Sequence, residues 1–461
     1  MIDAFVKRLP WLGGVDAHMK EVLRGSAVAI TLKVLGAGLS FVLNILLARL
    51  LGADGTGVYF LGLTVITVAT MFGQLGLGNA LLRFTAAHAS QEEWTRVAGV
   101  SRQGLAIAGA ISATVSMAVL AGAPAIAHYV YSEPALTAPL RLMALAIVPL
   151  TLLSLYADLL KGLKRIAGAL LVNTVAIPLI SMPFLAVLAG TWGVSGAAIA
   201  YLLATILVLG LGAVLWRRAT PQVRGLRGSF DTRLLLSTSI PLFWVALMNL
   251  VMSQTDVVLL GVWGDSSLVG IYGTAARTSS LTSFVLLAMI SISAPKFAAL
   301  YAQEDFGNLE SLARNVARLG TLVASVVILP LVLAPSWILG LFGPEFVAGR
   351  TVLIILAAGQ FVNVATGPVG LLLLMTGHEK IQRNNSILSA ALNVLLGVIL
   401  VPTYGLTGAA VATASTLAFK NLNTVRLVQK YLGIKVWSWG QDGGHKNRPS
   451  HDDLGRGQSG G

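Results

Sequence analysis

The stretch VGIYGTAARTSSLTSF, residues 269–284, repeats a pattern met earlier in TGVYFLGLTVIT, residues 56–67. Gly57 and Tyr59 of the earlier stretch stand 213 positions before Gly270 and Tyr272 of the later one. Only the later copy carries a charge: Arg277 stands where the first copy has Thr64. The offset is not confined to this motif. At the same shift Arg83-Phe84 falls on Lys296-Phe297, and RFTAAHASQEE (83–93) runs parallel to KFAALYAQEDF (296–306). At a shift of 212, WGVSGAAIA (192–200) falls on YGLTGAAVA (404–412), and between them KGLKR (161–165) resembles TGHEK (376–380) with a three-residue change of offset. Agreement at both ends of a long unit, at nearly one offset, marks an internal duplication.

Composition says what kind of unit is duplicated. Of 461 residues 56% are hydrophobic and only 11% charged, against about 25% charged in a soluble domain. So few charges cannot cover a surface that faces water, and the bilayer is the expected solvent. At about 20 apolar residues per crossing, twelve spans are predicted: 26–48, 56–82, 100–122, 138–160, 167–190, 193–216, 234–262, 266–295, 313–334, 351–376, 384–401 and 405–428. With a cytoplasmic N-terminus, 27 of the 32 Lys and Arg residues fall in loops and ends on the inner side and three on the outer. The positive-inside rule then places both termini in the cytoplasm. The same bias accounts for the net charge of +13, so no nucleic-acid partner is expected.

The expected fold is an all-α polytopic membrane protein of twelve transmembrane helices. It divides into an interfacial segment (1–25), a six-helix bundle (26–216), a basic linker (217–233), a second six-helix bundle (234–430) and a Gly-rich polar tail (431–461) expected to be disordered. Because six is even, the two bundles enter the membrane in the same direction. They are parallel repeats about a pseudo-twofold axis along the membrane normal. Their shared interface is a natural cavity, and rocking one bundle against the other would open it to each side in turn.

There is no cysteine, no histidine pair at ligand spacing and no ATP-binding or nucleophile motif. No enzymatic activity, metal or cofactor is expected. Polar and charged residues inside spans are therefore the functional candidates. Lys33, Ala37, Ser40 and Asn44 share one face of the first span, either as a cavity stripe or as a packing seam below a snorkelling lysine. Gln74 lies on a Thr64-Thr67-Met71-Gln74 face, for which interhelical hydrogen bonding is the leading reading. Asn249, Ser253 and Asp256 share a face of the seventh span. Asp256 reads as an interfacial residue, as the partner of a cation, or as a proton or Na⁺ site with Asn and Ser oxygens beside it. Arg277 lies about 16 Å from the outer end of its span, too deep to snorkel. It reads either as a phosphate-binding group in a cavity or as the structural partner of Asp256. Gln360 and Asn363 form the polar stripe of the second half. Arg49, at the outer end of the first span, completes the candidate cations.

The passages SQTDVVLLGVWGDSSLVGIYGTAAR and LLARLLGADGTGVYFLGLT, taken with two six-helix halves, resemble the polysaccharide flippases. These are the lipid-linked oligosaccharide transporters of the multidrug/oligosaccharidyl-lipid/polysaccharide exporter superfamily. The resemblance spans roughly residues 24–430. It implies a carrier that moves a polyprenyl-pyrophosphate-linked glycan across the bacterial inner membrane for O-antigen, capsule or exopolysaccharide synthesis. The pyrophosphate and sugars would occupy a cationic central cavity while the lipid tail stays among membrane lipids. Glycan polymerase and chain-length machinery are the expected protein partners. The substrate-site candidates are Arg277, Lys33, Arg49, Asn44, Gln74, Gln360 and Asn363. Arg83 and Lys296, at equivalent inner helix ends, would recruit the anionic headgroup, although the positive-inside rule also explains them. Asp256, Asn249 and Ser253 are the ion-coupling candidates. The lipid II flippases have fourteen helices, so a count of twelve argues against that branch. A drug/cation antiporter of the same superfamily and a non-transporting scaffold of a glycan-assembly complex are the alternatives.

Overall fold

A computed structural model describes residues 17–226, 228 and 230–436. Most of the 1–25 segment and the tail beyond 436 therefore lie outside the described residues. The principal helices are α1 (Ala17–Gln74), α2 (Leu77–Ser90), α3 (Trp94–Ala125), α4 (Ile147–Gly162), α5 (Ala176–Ala219), α6 (Thr232–Trp263), α7 (Ser266–Ser279), α8 (Ser283–Ala302), α9 (Phe306–Leu333), α10 (Arg350–Ala365) and α11 (Glu379–Leu432), joined by shorter helical pieces. Among the described residues seven helices are long and apolar enough to cross a membrane, or eight if the bent pair Pro134–Ala144 and Ile147–Gly162 counts as one span. The chain is an all-α polytopic membrane protein. Helices are what its sequence must form in lipid, where every backbone polar group needs a partner within its own segment.

Three of the long helices are broken at glycines with positive φ. Gly52 (φ 67°) breaks α1, Gly193 (φ 55°, ψ −132°) breaks α5 and Gly405 (φ 53°, ψ −128°) breaks α11. These breaks fall at the predicted boundaries between the first and second, fifth and sixth, and eleventh and twelfth spans. The dihedral angles at Gly193 and Gly405 agree within a few degrees at an offset of 212, so the duplication reaches backbone geometry. Glu92 and Glu304, also 212 apart, both take positive φ (59° and 56°) just before α3 and α9. At the KGLKR turn the structure corrects the sequence alignment. The Arg165 N–H reaches the Leu160 carbonyl as the His378 N–H reaches that of Leu373, so Lys164 pairs with Gly377 and the offset stays at 213.

The turns sort onto two faces of the molecule. Contacts around Gly52, Gly57, Tyr131, Val194, Gly261, Ser266 and Glu345 gather one set of corners on what we call the far face. On the opposite, linker face, Gly228 packs on the Thr95 carbonyl, Phe230 meets Phe84 and His88 at ring distances of 5.1 and 5.8 Å, and His378 meets Tyr431 at 6.0 Å.

The most extensive helix contact joins the second part of α1 to α7, across the two halves. A Cβ on Gly57 would lie 1.6 Å from the Ser266 carbonyl oxygen and 3.1 Å from the Gly270 nitrogen. A Cβ on Gly270 would lie 2.0 Å from the Ala53 carbonyl oxygen and 3.0 Å from the Gly57 nitrogen. Two residues that are repeat mates and also touch each other must sit on the axis relating the repeats. The Ser266 hydroxyl likewise donates to the carboxylate of Asp54, its counterpart 212 positions earlier. The duplicated glycine is thus conserved within the chain by closeness: only hydrogen at Cα lets the two helices cross here. Around this crossing an apolar core drawn from both halves includes Leu47, Phe60, Leu61, Tyr272, Phe342 and Leu353.

Candidate substrate cavity

Beside the axis lies a cavity of about 350 Å³. Its wall comes mostly from the first half: Gly36 to Leu47 of α1, Tyr59 to Leu63 beyond the Gly52 break, Thr174 to Leu185, and Ala197 to Tyr201 of α5. The second half contributes Arg277 to Phe284 and Phe342. The lining is largely apolar with a few convergent polar groups, the usual makeup of a ligand site.

Arg277 is the charge in this wall. It sits in the last turn of α7, immediately before a short 3₁₀ segment, Ser280–Thr282, that leads into α8. Its guanidinium carbon lies 3.6 Å from the centroid of the Phe60 ring, and Nη1 donates to its own helix at the Gly273 carbonyl, 3.1 Å away. A Cβ on residue 273 would come within 2.5 Å of the Phe60 ring and 2.8 Å of Nη1, so the glycine is what allows this stacking. Among the described residues no carboxylate lies within the 4.0 Å of an ion pair with Arg277. Stacking on an aromatic face attracts the cation without neutralising it, and one carbonyl occupies one of five donors. The remaining donors are free to receive an anion.

The expected alternative, a pair with Asp256, does not form. Asp256 instead accepts from the Tyr272 hydroxyl at 2.5 Å, from the Val257 N–H at 2.9 Å and, at the limit of bonding, from the Thr413 hydroxyl at 3.5 Å. The Tyr272 side chain is fully buried and also reaches Thr413 at 3.2 Å. This cluster is the repeat counterpart of the cavity wall. Asp256 corresponds to Leu43, Tyr272 to Tyr59 and Thr413 to Tyr201, and all three first-half residues line the cavity. The two halves therefore use one framework for different ends: an open aromatic chamber with a borrowed arginine in the first, a closed carboxylate–hydroxyl cluster in the second.

Other sequence candidates separate clearly. Asn44 lines the cavity with Ser40 and Ala37, and its Nδ2 donates to the Ser40 carbonyl at 2.7 Å, leaving its own carbonyl oxygen unengaged in that bond. Lys33 lies on the same helix, one turn beyond the lining residue Gly36 toward the linker face, and does not itself line the cavity. Arg49 lies exposed at the far face, where Nε donates to the Leu341 carbonyl at 2.8 Å. Gln74 ends α1 just before a break at Leu75 (φ 45°) and Gly76 (φ 72°), away from the chamber. Gln360 accepts from Ser283 of α8 and from Asn363, both at 3.1 Å, so that stripe joins α10 to α8 inside the second half. Asn249 and Ser253 are exposed on α6, and the Ser253 hydroxyl donates to the Leu250 carbonyl at 3.0 Å instead of meeting Asp256. Arg83 and Lys296 are both exposed, at matching places on α2 and α8. Sequence reasoning missed the aromatic lining. Tyr59 and Tyr201 pack edge to face at 6.5 Å, and Phe342 reaches the chamber from the other half. The repeat gave a signal for Tyr59, through Tyr272, but none for Tyr201, whose mate is a threonine.

Fold and cavity together define a polytopic helical membrane protein that encloses a chamber suited to a ligand. The family model for polysaccharide biosynthesis proteins matches residues 22–301, more than half of the chain, and the protein belongs to that family. It is similar to a probable low-salt glycan biosynthesis flippase, Agl15, of Haloferax volcanii, with 25% identity over 428 residues that cover 90% of this chain and 85% of the relative. In fold it is similar to an inward-facing multidrug resistance transporter of the MATE family, with a TM-score of 0.74, 15% identity and coverage of 88% and 98%. The lipid II flippase MurJ in an inward closed conformation gives a TM-score of 0.71 at 13% identity, covering 90% of each chain. Overall shape therefore does not separate the two branches, since structures of both align over about nine-tenths of this chain. The chain is a multi-pass membrane protein of this family.

Proposed function

We propose that this protein flips a polyprenyl-pyrophosphate-linked oligosaccharide across a prokaryotic cytoplasmic membrane, through twelve crossings arranged as two six-helix bundles with both termini cytoplasmic. The observation that carries the reading is Arg277: a guanidinium in a chamber wall, stacked on Phe60 and, among the described residues, outside ion-pair distance of any carboxylate. Arg is the side chain best shaped to take two phosphate oxygens at once. The aromatic faces of Tyr59 and Tyr201 and the Asn44 amide suit the sugars next to the phosphates. Lys33 stands toward the linker face, where an anionic headgroup would enter. At about 350 Å³ the chamber holds the pyrophosphate and the first sugars, and leaves the rest of the glycan and the lipid outside. Asp256, with Tyr272 and Thr413, is the coupling group: gain or loss of a proton or cation there changes the hydrogen bonds joining α6, α7 and α11. Glycan polymerase and chain-length proteins would act on the delivered substrate.

A drug/cation antiporter is the second reading, favoured by the MATE-like fold and by the carboxylate at Asp256. The charge in the chamber opposes it, because a cationic drug would meet Arg277 first. Glycan export and drug accumulation, measured in one strain that depends on this gene, separate the two. Loss of glycan export in Arg277→Ala with unchanged drug accumulation supports the flippase. Altered drug accumulation with full glycan export supports the antiporter.

A further inference from the structure

The chamber is closed toward the far face by a residue from the opposite half. Phe342 is 1% exposed, and its ring packs edge to face on Phe41 of α1 at 5.4 Å and against Phe346 at 6.2 Å. It belongs to a second-half hairpin made of the short helix Pro335–Gly340, a turn at Gly343 (φ 148°) and the 3₁₀ segment Pro344–Gly349. Yet both polar bonds that flank it come from one corner of the first half. Arg49 Nε donates to the carbonyl of Leu341, the residue before Phe342, at 2.8 Å. The Ala53 N–H donates to the Glu345 carboxylate at 2.7 Å.

The Glu345 bond has a clear cause. The break at Gly52 starts a new helical segment, and its first N–H groups have no partner within the helix. A carboxylate from the other half fills the place that a capping side chain normally takes, and its charge suits the positive end of the segment. The equivalent crossing of the first-half hairpin is different. There the Tyr131 ring lies 2.8 Å from a Cβ built on Gly261 of α6, and Leu61 lies 2.4 Å from it, so that contact is apolar. The far-face seal thus has a greasy side and a polar side, and only the polar side ends in a ring that lines the chamber.

The geometry points to Phe342 as the far-side gate of the chamber, with Arg49 and Glu345 as positioning residues that latch it shut. This inference rests on alternating access and not on the nature of the cargo. When the chamber opens to the far face, the Phe342 ring withdraws from Phe41 and both latch bonds break. Arg49 then acts through the backbone of a neighbouring hairpin and does not touch substrate.

The chain has no cysteine, so a single introduced thiol reports the gate cleanly. Ser280 lines the chamber and is exposed within it. In a Ser280→Cys background, a charged, membrane-impermeant maleimide is applied to intact cells from the far face, and to inverted vesicles from the linker face. Far-side labelling is expected to be slow in the parent and to rise about tenfold in Arg49→Ala and Glu345→Ala, the shift that loss of one charge-assisted hydrogen bond gives a two-state equilibrium. Phe342→Ala is expected to rise at least as much. Arg49→Lys and Glu345→Gln keep a donor and an acceptor and are expected to rise clearly less than the alanine variants. Should Phe342→Ala fail to accumulate, Phe342→Leu, too short to reach Phe41, carries the same expectation. Far-side labelling at the parent rate in the alanine variants, with normal labelling in inverted vesicles, overturns the proposal. An equal rise in Arg49→Lys and Glu345→Gln also overturns it, because the hydrogen bonds would then not be the latch. The readout needs no substrate, so failure here is distinct from failure of the flippase reading.

Discussion

Replacing Gly270 by alanine tests whether the two halves meet where the repeat says they do. The added Cβ would lie 2.0 Å from the Ala53 carbonyl oxygen and 3.0 Å from the Gly57 nitrogen, and both obstacles are backbone atoms of a helix. No rotamer change relieves such a clash. Ordinary contact needs about 3.4 Å, so α7 and the second part of α1 must separate by more than 1 Å or rotate. Forcing extra atoms into a packed interface costs about 1–3 kcal/mol, and in lipid that interface is held by close packing more than by a hydrophobic force. The expected result is a drop of about 1–3 °C in the melting temperature of the detergent-solubilised protein, at about 1 °C per kcal/mol for 461 residues. Gly57→Ala, with its Cβ 1.6 Å from the Ser266 oxygen, is expected to cost at least as much. Gly210→Ala, where nothing lies within 4 Å, is the control and should melt with the parent. Size-exclusion of heated samples followed by fluorescence reads all three. If Gly270→Ala melts with Gly210→Ala, the helices do not cross at the repeated glycines and the axis is misplaced.

Two further outcomes follow from named groups. Asp256→Asn keeps an acceptor for Tyr272 but cannot carry the charge; it is expected to leave substrate binding near the parent and to remove the dependence of transport on an imposed ion gradient in proteoliposomes. Retained gradient dependence would exclude Asp256 as the coupling group. Asp305 caps α9 at the linker face: the Asn308 side chain donates to it at 2.6 Å and the Asn308 backbone N–H at 3.1 Å. These bonds hold its carboxyl below the usual value of 3.8. A depressed carboxyl stabilises the folded state above its unfolded pKa and loses that contribution as the pH falls through the folded value. The cap should therefore persist through pH 5 and weaken only below about pH 4. Asp305→Ala should show no such acid-side change in amide exchange at the start of α9.

The duplication was legible because it is written in residues that packing cannot vary. Gly57 and Gly270 touch backbone, Gly193 and Gly405 hold a left-handed turn, and each pair carries its offset openly. Arg277 was legible as a charge too deep in a span to reach water. The cavity itself was harder to see. Tyr201 has a threonine for a mate, and Phe342 enters the first half's chamber from a hairpin some 300 residues further along, so no local pattern announces either. Arg49 was read as a substrate cation because sequence shows its charge and not its partner; the Leu341 carbonyl is 292 residues away. The Gln360-Asn363 stripe has the right helical spacing, but α8 lies against that face and its Ser283 hydroxyl donates to Gln360, which Asn363 also engages within α10. Periodicity tells that a face is polar, and only the neighbouring helix decides whether it lines a void or a seam.

The central claim is that Arg277 receives the phosphates of the cargo. Equilibrium binding of a polyprenyl-pyrophosphate oligosaccharide to the purified protein, in Arg277→Ala and Arg277→Lys beside the parent, addresses it directly. Removing one partner of a desolvated charge pair costs at least about 2 kcal/mol, so Arg277→Ala should bind roughly 30-fold more weakly or worse, with Arg277→Lys in between. The same glycan lipid bound with equal affinity by all three proteins would contradict the account.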